Sequence, residues 1–496
     1  MRHSGHNWNL LLLSKKFAIR STIKREMAIV SRMIINGISI SFVVIRQGVK
    51  RVNMDKVNQL IEEHDIEIVR VVFNDNANVA RARNIPVKFF RDTVAEKGVQ
   101  YPSAMLSVDT SANFVLAAGE GFAGGYGSWL LKIDPDTFHV IPWAKKSARV
   151  IADLYTLEGE PVQVAPRSVL RKVLNELDRE GLKSYGAAEL EFYIFKQFDQ
   201  SGYEPTWTGL QCYSEVKQGE VDDILYDITV GLAAVGIHVE AANTEYGPGQ
   251  FEITMNPQWG VGQADAAFTF KAAIKEMMAQ RGLLATFMTK PLTGLSGSGS
   301  HFHHSLYDKA TGQNVFYNAA AADGLSDVAK HFIAGQLYHA KAISALANPT
   351  INSYHRLRPY TFAPSNVTWG LENRMCMIRI PGARGQGTHL ENRLPGADMN
   401  PYLMMAAMYA AGLDGIRRKL AVPAPVENQD AYALQSAPSL PRNLAEALAA
   451  LNADDELIPY LGADFVKSYT ALKMNELNRF ADHVTDWEIR EYRELF

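Results

Sequence analysis

The chain has 496 residues, 47% of them hydrophobic, and a formal net charge of −3. That is ordinary globular composition with room for a large core and more than one domain; the near-neutral balance gives no electrostatic case for nucleic acid or an anionic membrane, and no run approaches the roughly 20 apolar residues that span a bilayer. Two cysteines, Cys212 and Cys376, argue against a disulfide framework and fit a reducing cytoplasm.

Residues 1–53 hold ten Lys or Arg and a single acid, Glu26, with short apolar runs such as "IINGISISFVVI". Basic, acid-poor sequence of this kind has the look of a targeting peptide. The other reading is an extension upstream of a true start at Met54, where regular patterning begins. "MDKVNQLIEEHD" suits an amphipathic helix and "IEIVRVVFND" a β-branched strand ending in a turn. "NFVLAAGEGFAGGYGSWLLKIDP" reads as a Gly-rich loop and "TFHVIPW" as a short strand. These make a small sheet-containing domain over 54–155, followed by a larger one over 156–496. In the latter, Pro166 and Gly181 bracket a helix with an apolar face of Val169, Leu170, Val173, Leu174 and Leu177. Further helices are expected at 264–285, 326–346 and 400–420, with strands in "GQFEITMNP", "GSHFHHSLY", "MCMIRIPG" and "THLENRLPG". Sheet first, then sheet plus helices, reads as α+β.

The strand "GAAELEFYIF", residues 186–195, poses a chemical question. Side chains two apart share a face, so Glu189 and Glu191 lie side by side, while Ala188, Leu190, Phe192 and Ile194 face a core. Paired carboxylates repel and resist desolvation. Other strands add Glu245, Glu252, His301, His303 and Glu391, and nearby segments supply Arg356, Arg374, Arg379 and Arg393. A divalent cation is the simplest way to hold so many carboxylates together, and an oxygen-rich set with imidazole suits Mg²⁺ or Mn²⁺. Metals with several arginines are the equipment of phosphoryl transfer. There is no GxxxxGK[ST] loop.

The ordered run "ELEFYIF", "EYGPGQFE", "GSGSHFHHSL", "NPTINSYHRLRP", "NRMCMIRIPG" and "HLENRLPGADMNPYL" resembles the glutamine synthetase family from about Met54 to the C-terminus. The resemblance implies an N-terminal β-grasp domain and a catalytic domain with a helix-flanked antiparallel sheet that bears the metals. It also implies active sites between subunits of a ring-shaped homo-oligomer, commonly a dodecamer. By motif, Glu191, Glu245 and Glu252 would hold one metal, and Glu189, His301 and Glu391 the second, offsetting the repulsion between the paired glutamates. His303 and Ser305 match ATP-contacting positions, Arg374 and Arg379 phosphate-binding arginines, and Arg356 and Arg393 the residues that grip glutamate, with Gly297 bordering that substrate. The implied reaction phosphorylates the γ-carboxylate of L-glutamate with ATP and then aminates the acyl phosphate.

Departures from the family pattern point to the amine. Phe362 in "RLRPYTFAP" stands where glutamine synthetases carry a glutamate near the ammonium site. Asp75 still matches the aspartate that a neighbouring subunit contributes there. An amine pocket of Phe362, Tyr360 and Asp75 is therefore expected, and with it a bulky, apolar and aromatic amine, as in γ-glutamylanilide synthetases of aniline degradation. The alternatives are ammonia, or alkylamines, ethanolamine or polyamines. A catalytically inactive structural member is disfavoured because all six metal positions carry competent ligands. Ser296 and His389 also depart from the family's usual residues, and the surroundings of Tyr432 match the family's adenylylation site too poorly to predict that control.

Overall fold

The computed structural model describes residues 32–35, 38–41, 46–119 and 121–496. The chain divides into two compact units, Met1–Asp65 and Ile66–Phe496. In the first, β1 (Arg32–Ile35) and β2 (Ile38–Ser41) pair antiparallel, and helix α1 spans Arg46–Glu63. This helix takes in the expected amphipathic segment but begins before Met54. The targeting and upstream-start readings rest largely on residues outside those described.

The second unit opens with a six-stranded sheet built from β3 (Ile68–Asn74), β4 (Ala80–Pro86), β5 (Val99–Pro102), β6 (Ser128–Ile133), β7 (His139–Ile141) and β8 (Ser147–Tyr155). Its order is β4-β3-β8-β6-β5, with β7 also on β8. β3 and β8 run parallel, and the other neighbours antiparallel. β6 corrects the loop reading of 113–135: its six residues follow a glycine-rich turn, which masked a strand that buries Leu131.

Helix α2 (Pro166–Arg179) starts at its proline, whose fixed φ suits a first helical position, and buries Val169, Leu170, Val173 and Leu177. It leads into β9 (Leu182–Asp199), the spine of a ten-stranded sheet. There follow β10 (Gly202–Pro205), α3 (Asp222–Ala234), β11 (Val239–Thr244), β12 (Gln250–Met255), β13 (Gln258–Trp259), α4 (Gly262–Gln280), β14 (Leu284–Thr286) and β15 (Ser300–Asp308). The chain continues through α5 (Asp327–Tyr338), α6 (Ala340–Ala347), β16 (Trp369–Leu371), β17 (Ile378–Ile380), β18 (Leu390–Asn392), α7 (Pro401–Arg418), α8 (Leu444–Asn452), α9 (Ala463–Ala481) and α10 (Asp486–Tyr492). The main sheet path is β11-β12-β9-β15-β18-β17-β16.

Two further expectations need correction. The catalytic sheet is mixed, because β16 and β17 pair in parallel. Strands of three residues span only about 10 Å, so the turn over 372–377, opened by Glu372 at φ 53°, brings the chain back to its start. The helix expected over 326–346 is two helices that meet at His339 (φ −90°, ψ 7°), whose ring nitrogens are taken by Asp454 at 2.7 Å and Asp414 at 3.0 Å.

Beneath the sheet, α7 is almost wholly buried. It crosses α5 closely at glycines: a Cβ on Gly335 would lie 2.1 Å from Ala411 O, and one on Gly415 2.1 Å from His331 O. Among the described residues no helix is long and apolar enough to cross a membrane.

Candidate active site

The pleat of β9 sorts its side chains as expected. Ala188, Leu190, Phe192 and Ile194 are fully buried in the core. On the opposite face, register aligns the polar groups of five strands. Glu252 of β12 pairs with Glu191, His301 of β15 with Glu189, and His303 with Glu391 of β18, which in turn pairs with Arg379 of β17. Alternation on each strand and register between strands are enough to assemble the site.

The contacts are close. His301 Nδ1 lies 3.0 Å from Glu189 Oε1 and 3.5 Å from Glu391 Oε1, and its Nε2 is 3.8 Å from Glu191 Oε1. Ligand atoms of Glu189, His301 and Glu391, and again of Glu191, Glu252 and His301, fall within 4.8 Å of one another. Arg379 Nη1 donates to Glu391 Oε2 at 2.8 Å, and Arg393 Nη1 donates to Glu391 Oε1. The backbone N–H of Gly299 donates to Glu191 Oε2 at 2.9 Å.

The electrostatics split the cluster. Burial works against ionisation of Glu391, but Arg393, His301, His303 and Arg379 outweigh it and hold its carboxyl at about 2. Burial, then the charge of Arg393, lowers His301 to about 4, so the ring is neutral and able to ligate at pH 7. Glu252 is driven up by burial and by Glu189, Glu191 and Glu245. Glu191 is also driven up, by burial and the charge of Glu245, despite Arg356. On the Glu191–Glu252 side the nearby guanidinium of Arg356 does not offset burial and the neighbouring acids. His303 Nε2 is buried without a hydrogen-bond partner, 3.7 Å from Glu189 Oε2 and 4.0 Å from Glu391 Oε1. Carboxylate oxygens, neutral imidazole and an orphaned ring nitrogen fit a hard divalent cation of the Mg²⁺ or Mn²⁺ type.

Glu245 stands at the edge of this cluster, accepting from Tyr246 N at 2.8 Å, with Cys212 Sγ 3.5 Å away. Arg356 is buried and donates to the carbonyls of Leu394 and Arg393 at 3.2 and 3.1 Å. Gly297 and Gly299 make room for it. A Cβ at the first would lie 2.9 Å from Arg356 Cγ, and at the second 2.6 Å from Arg356 Nη2. Arg393 Nη2 donates to the carbonyl of Phe362 at 3.3 Å. Tyr360 and Phe362 sit on an exposed flap, 73% and 65% accessible, with left-handed backbone at φ 63° and 58°. Non-glycine residues there cost on the order of 1–3 kcal/mol each, a strain that clusters at functional sites.

Three expected residues are not gathered into the cluster. Ser305 continues the same face of β15 and is buried beyond it. Arg374 is exposed on the turn between β16 and β17. Asp75 is fully buried in its own loop, accepting from Ala77 N, Val79 N and Arg81 Nε. Other groups escaped the sequence reading. Tyr213 OH donates to Glu252 Oε1 at 3.3 Å, Thr254 Oγ1 to Glu189 Oε2 at 3.2 Å, and Gln250 Nε2 to Glu191 Oε2 at 3.3 Å. Thr254 and Gln250 share the glutamates' face of β12 and could have been found by alternation. Tyr213 lies on an irregular segment with no such signal.

Residues 163–492 match the family model "Glutamine synthetase, catalytic domain". The chain is 35% identical to a gamma-glutamylethanolamide synthetase of Streptomyces coelicolor, over 88% of this chain and 95% of that one. It is 36% identical to a glutamine synthetase of Methanocaldococcus jannaschii, over 89% and 98%. A solved structure described as a GmaS/ADP complex superposes with a TM-score of 0.79 at 32% identity, covering 88% of this chain and 99% of that one. With the acidic sheet face in place and relatives matched along nearly their whole length, the chain belongs to the glutamine synthetase family of carbon–nitrogen ligases.

Proposed function

We propose that this ligase uses ATP to join a bulky, apolar and aromatic amine to the γ-carboxylate of L-glutamate, giving a γ-glutamylamide, ADP and phosphate. The carboxylate oxygen attacks the terminal phosphorus of ATP and ADP leaves. The amine nitrogen then attacks the acyl carbon, loses a proton, and phosphate departs. Glu191, Glu245 and Glu252 would hold one Mg²⁺ or Mn²⁺ and Glu189, His301 and Glu391 another; such cations supply charge neutralisation between two anionic substrates. Arg356 and Arg393 would bind the glutamate carboxylates, with Gly297 at their edge. His303, Ser305, Arg374 and Arg379 would meet ATP. The 54–155 segment is taken as a β-grasp domain that presents Asp75 to the next subunit of a ring, commonly of twelve. The motif alone supports that role, since Asp75 is committed within its own chain. A cytoplasmic location fits the free thiols of Cys212 and Cys376.

The amine assignment rests on Phe362. Its carbonyl is tied to Arg393, its backbone is held left-handed, and its ring is accessible rather than packed into the core. Alkylamines near pH 7 are cations, with values near the lysine figure of about 10.4, and need carboxylate help to shed a proton. An aniline-like amine is neutral and gains about 0.5–1.5 kcal/mol from ring contact. Relatives named for ethanolamide and for glutamine synthesis keep other amines in view. In an amine panel, the wild type should turn over an aromatic amine with higher kcat/KM than ammonium, and Phe362→Glu should reverse that order. Ammonium far ahead of every apolar amine in the wild type would overturn the assignment.

A further inference from the structure

Behind the flap lies a cavity of about 290 Å³ that takes no part in the chemistry above. It is lined by Leu357, Arg358 and Pro359, which lead into the flap, and by residues of the stretch from Leu434 to Arg442. Its floor is hydrogen-bonded: Asn366 bridges to Ser439, Leu440 N donates to Ser365 O at 3.1 Å, and Val367 N to Pro438 O at 2.8 Å. Tyr432 closes the side nearest the active site, where its hydroxyl donates to Ala363 O at 3.1 Å, next to Phe362. Its ring lies 5.1 Å from that of Tyr360, whose hydroxyl donates to Asp430 Oδ2 at 3.2 Å. The cavity and the substrate side thus share one short segment, which begins at Arg356.

The lining dictates a ligand class. Two guanidiniums, Arg358 and Arg442, border the space, and no carboxylate does. Among the described residues, neither guanidinium has an ion pair or a side-chain hydrogen bond. The neighbouring acid Glu446 is spent on Arg442 N and Asn443 Nδ2 at the start of α8. The remaining surface mixes hydroxyl and amide groups with Leu357, Leu440 and proline rings. Arginine binds carboxylates through paired N–H groups, whereas an ammonium here would meet two positive charges and no acid. The volume lies at the small end of ligand sites.

We propose that this cavity binds a small organic carboxylate with an apolar body and no ammonium group, and that its occupation fixes the flap. The test is calorimetric titration of the full chain with benzoate and hexanoate, with inorganic phosphate as a bare anion. Arg358→Ala, Arg442→Ala and the space-filling Ser439→Trp serve as variants; unchanged melting without ligand establishes that each is folded. Saturable carboxylate binding is expected, weakened at least tenfold by either arginine change and abolished by the tryptophan. The KM for glutamate should shift with benzoate in the wild type and stay fixed in the variants. Absence of binding, binding indifferent to all three changes, phosphate bound as tightly as benzoate, or a KM unmoved at saturating benzoate would each overturn the proposal. Calorimetry reads binding without turnover, so a wrong assignment of the amine would leave that result standing.

Discussion

Among the described residues, two of the buried charge clusters are built on opposite terms. In the first, Arg167 donates to both oxygens of Asp265 at 2.9 and 2.7 Å and to Asp134 at 2.7 Å, with Asp153 2.8 Å away. Arg171 joins Asp134 at 3.0 Å, and Tyr402 OH donates to Asp265 at 2.7 Å. Every carboxylate there meets an arginine from its own chain. Burial raises Asp134, yet Arg167 and Arg171 outweigh it and leave its carboxyl below the usual range. In the second, on the β9–β12–β15–β18 face, only Glu391 among the described residues has such braces, and Glu191 and Glu252 are driven up by burial and by their neighbours. Removing one partner of a buried pair is strongly destabilising, which is why structural clusters are complete. A cluster left short of positive charge inside a well-packed sheet is one that expects charge from outside.

The sharpest way to break the contrast is one deletion in each cluster. Glu191→Ala should lower turnover by about a thousandfold or more, as expected for loss of a metal clamp, while the protein stays folded and melts near the wild-type temperature. Arg167→Ala should do the reverse. About 3–5 kcal/mol of stability should go, read by denaturant unfolding, while activity per folded molecule persists. If Glu191→Ala kept normal turnover at saturating Mg²⁺, or if both variants mainly unfolded the chain, the distinction would collapse.

A smaller effect comes from His339, fully buried between Asp454 and Asp414. Burial lowers its affinity for a proton, but the two carboxylates outweigh burial, so its pKa is raised above 6.5. A raised folded value means that the folded state binds the proton more tightly than the unfolded chain does. The stabilisation is full below about 6.5 and fades as pH rises through the folded value. Melting temperature across pH 5–9 should therefore fall more steeply with rising pH in the wild type than in His339→Gln. The smallest effect concerns Thr254, whose hydroxyl orients Glu189. Thr254→Val should cost about 1 kcal/mol of stability and raise the Mg²⁺ concentration needed for half-maximal activity. An unchanged metal requirement would make that contact incidental.

Much of this site could be read before any coordinates. Alternation put Glu189 and Glu191 on one face, and the same rule, strand by strand, selected Glu252, His301, His303 and Glu391. Register was not legible: nothing local states that His301 sits opposite Glu189 or His303 opposite Glu391. That pairing is a property of three strands far apart in the chain. The break at His339 was equally hidden, because it depends on one aspartate from α7 and one just beyond α8. β6 was lost to its glycine-rich approach. Tyr213 and Cys212 reach the acids from an irregular segment, where periodicity has nothing to say.

If divalent cations complete the second cluster, the metal-free chain should bind them without any substrate. Direct titration of the metal-free chain with Mn²⁺, followed by calorimetry or by the paramagnetic signal of free Mn²⁺ and without any substrate, tests it most directly. More than one bound ion per chain is expected, with a melting temperature that rises with Mn²⁺ and loss of at least one site in Glu191→Ala and in Glu189→Ala. Arg167→Ala should retain the stoichiometry in its folded fraction. An absence of tight binding, or binding that survives both glutamate substitutions unchanged, would contradict it.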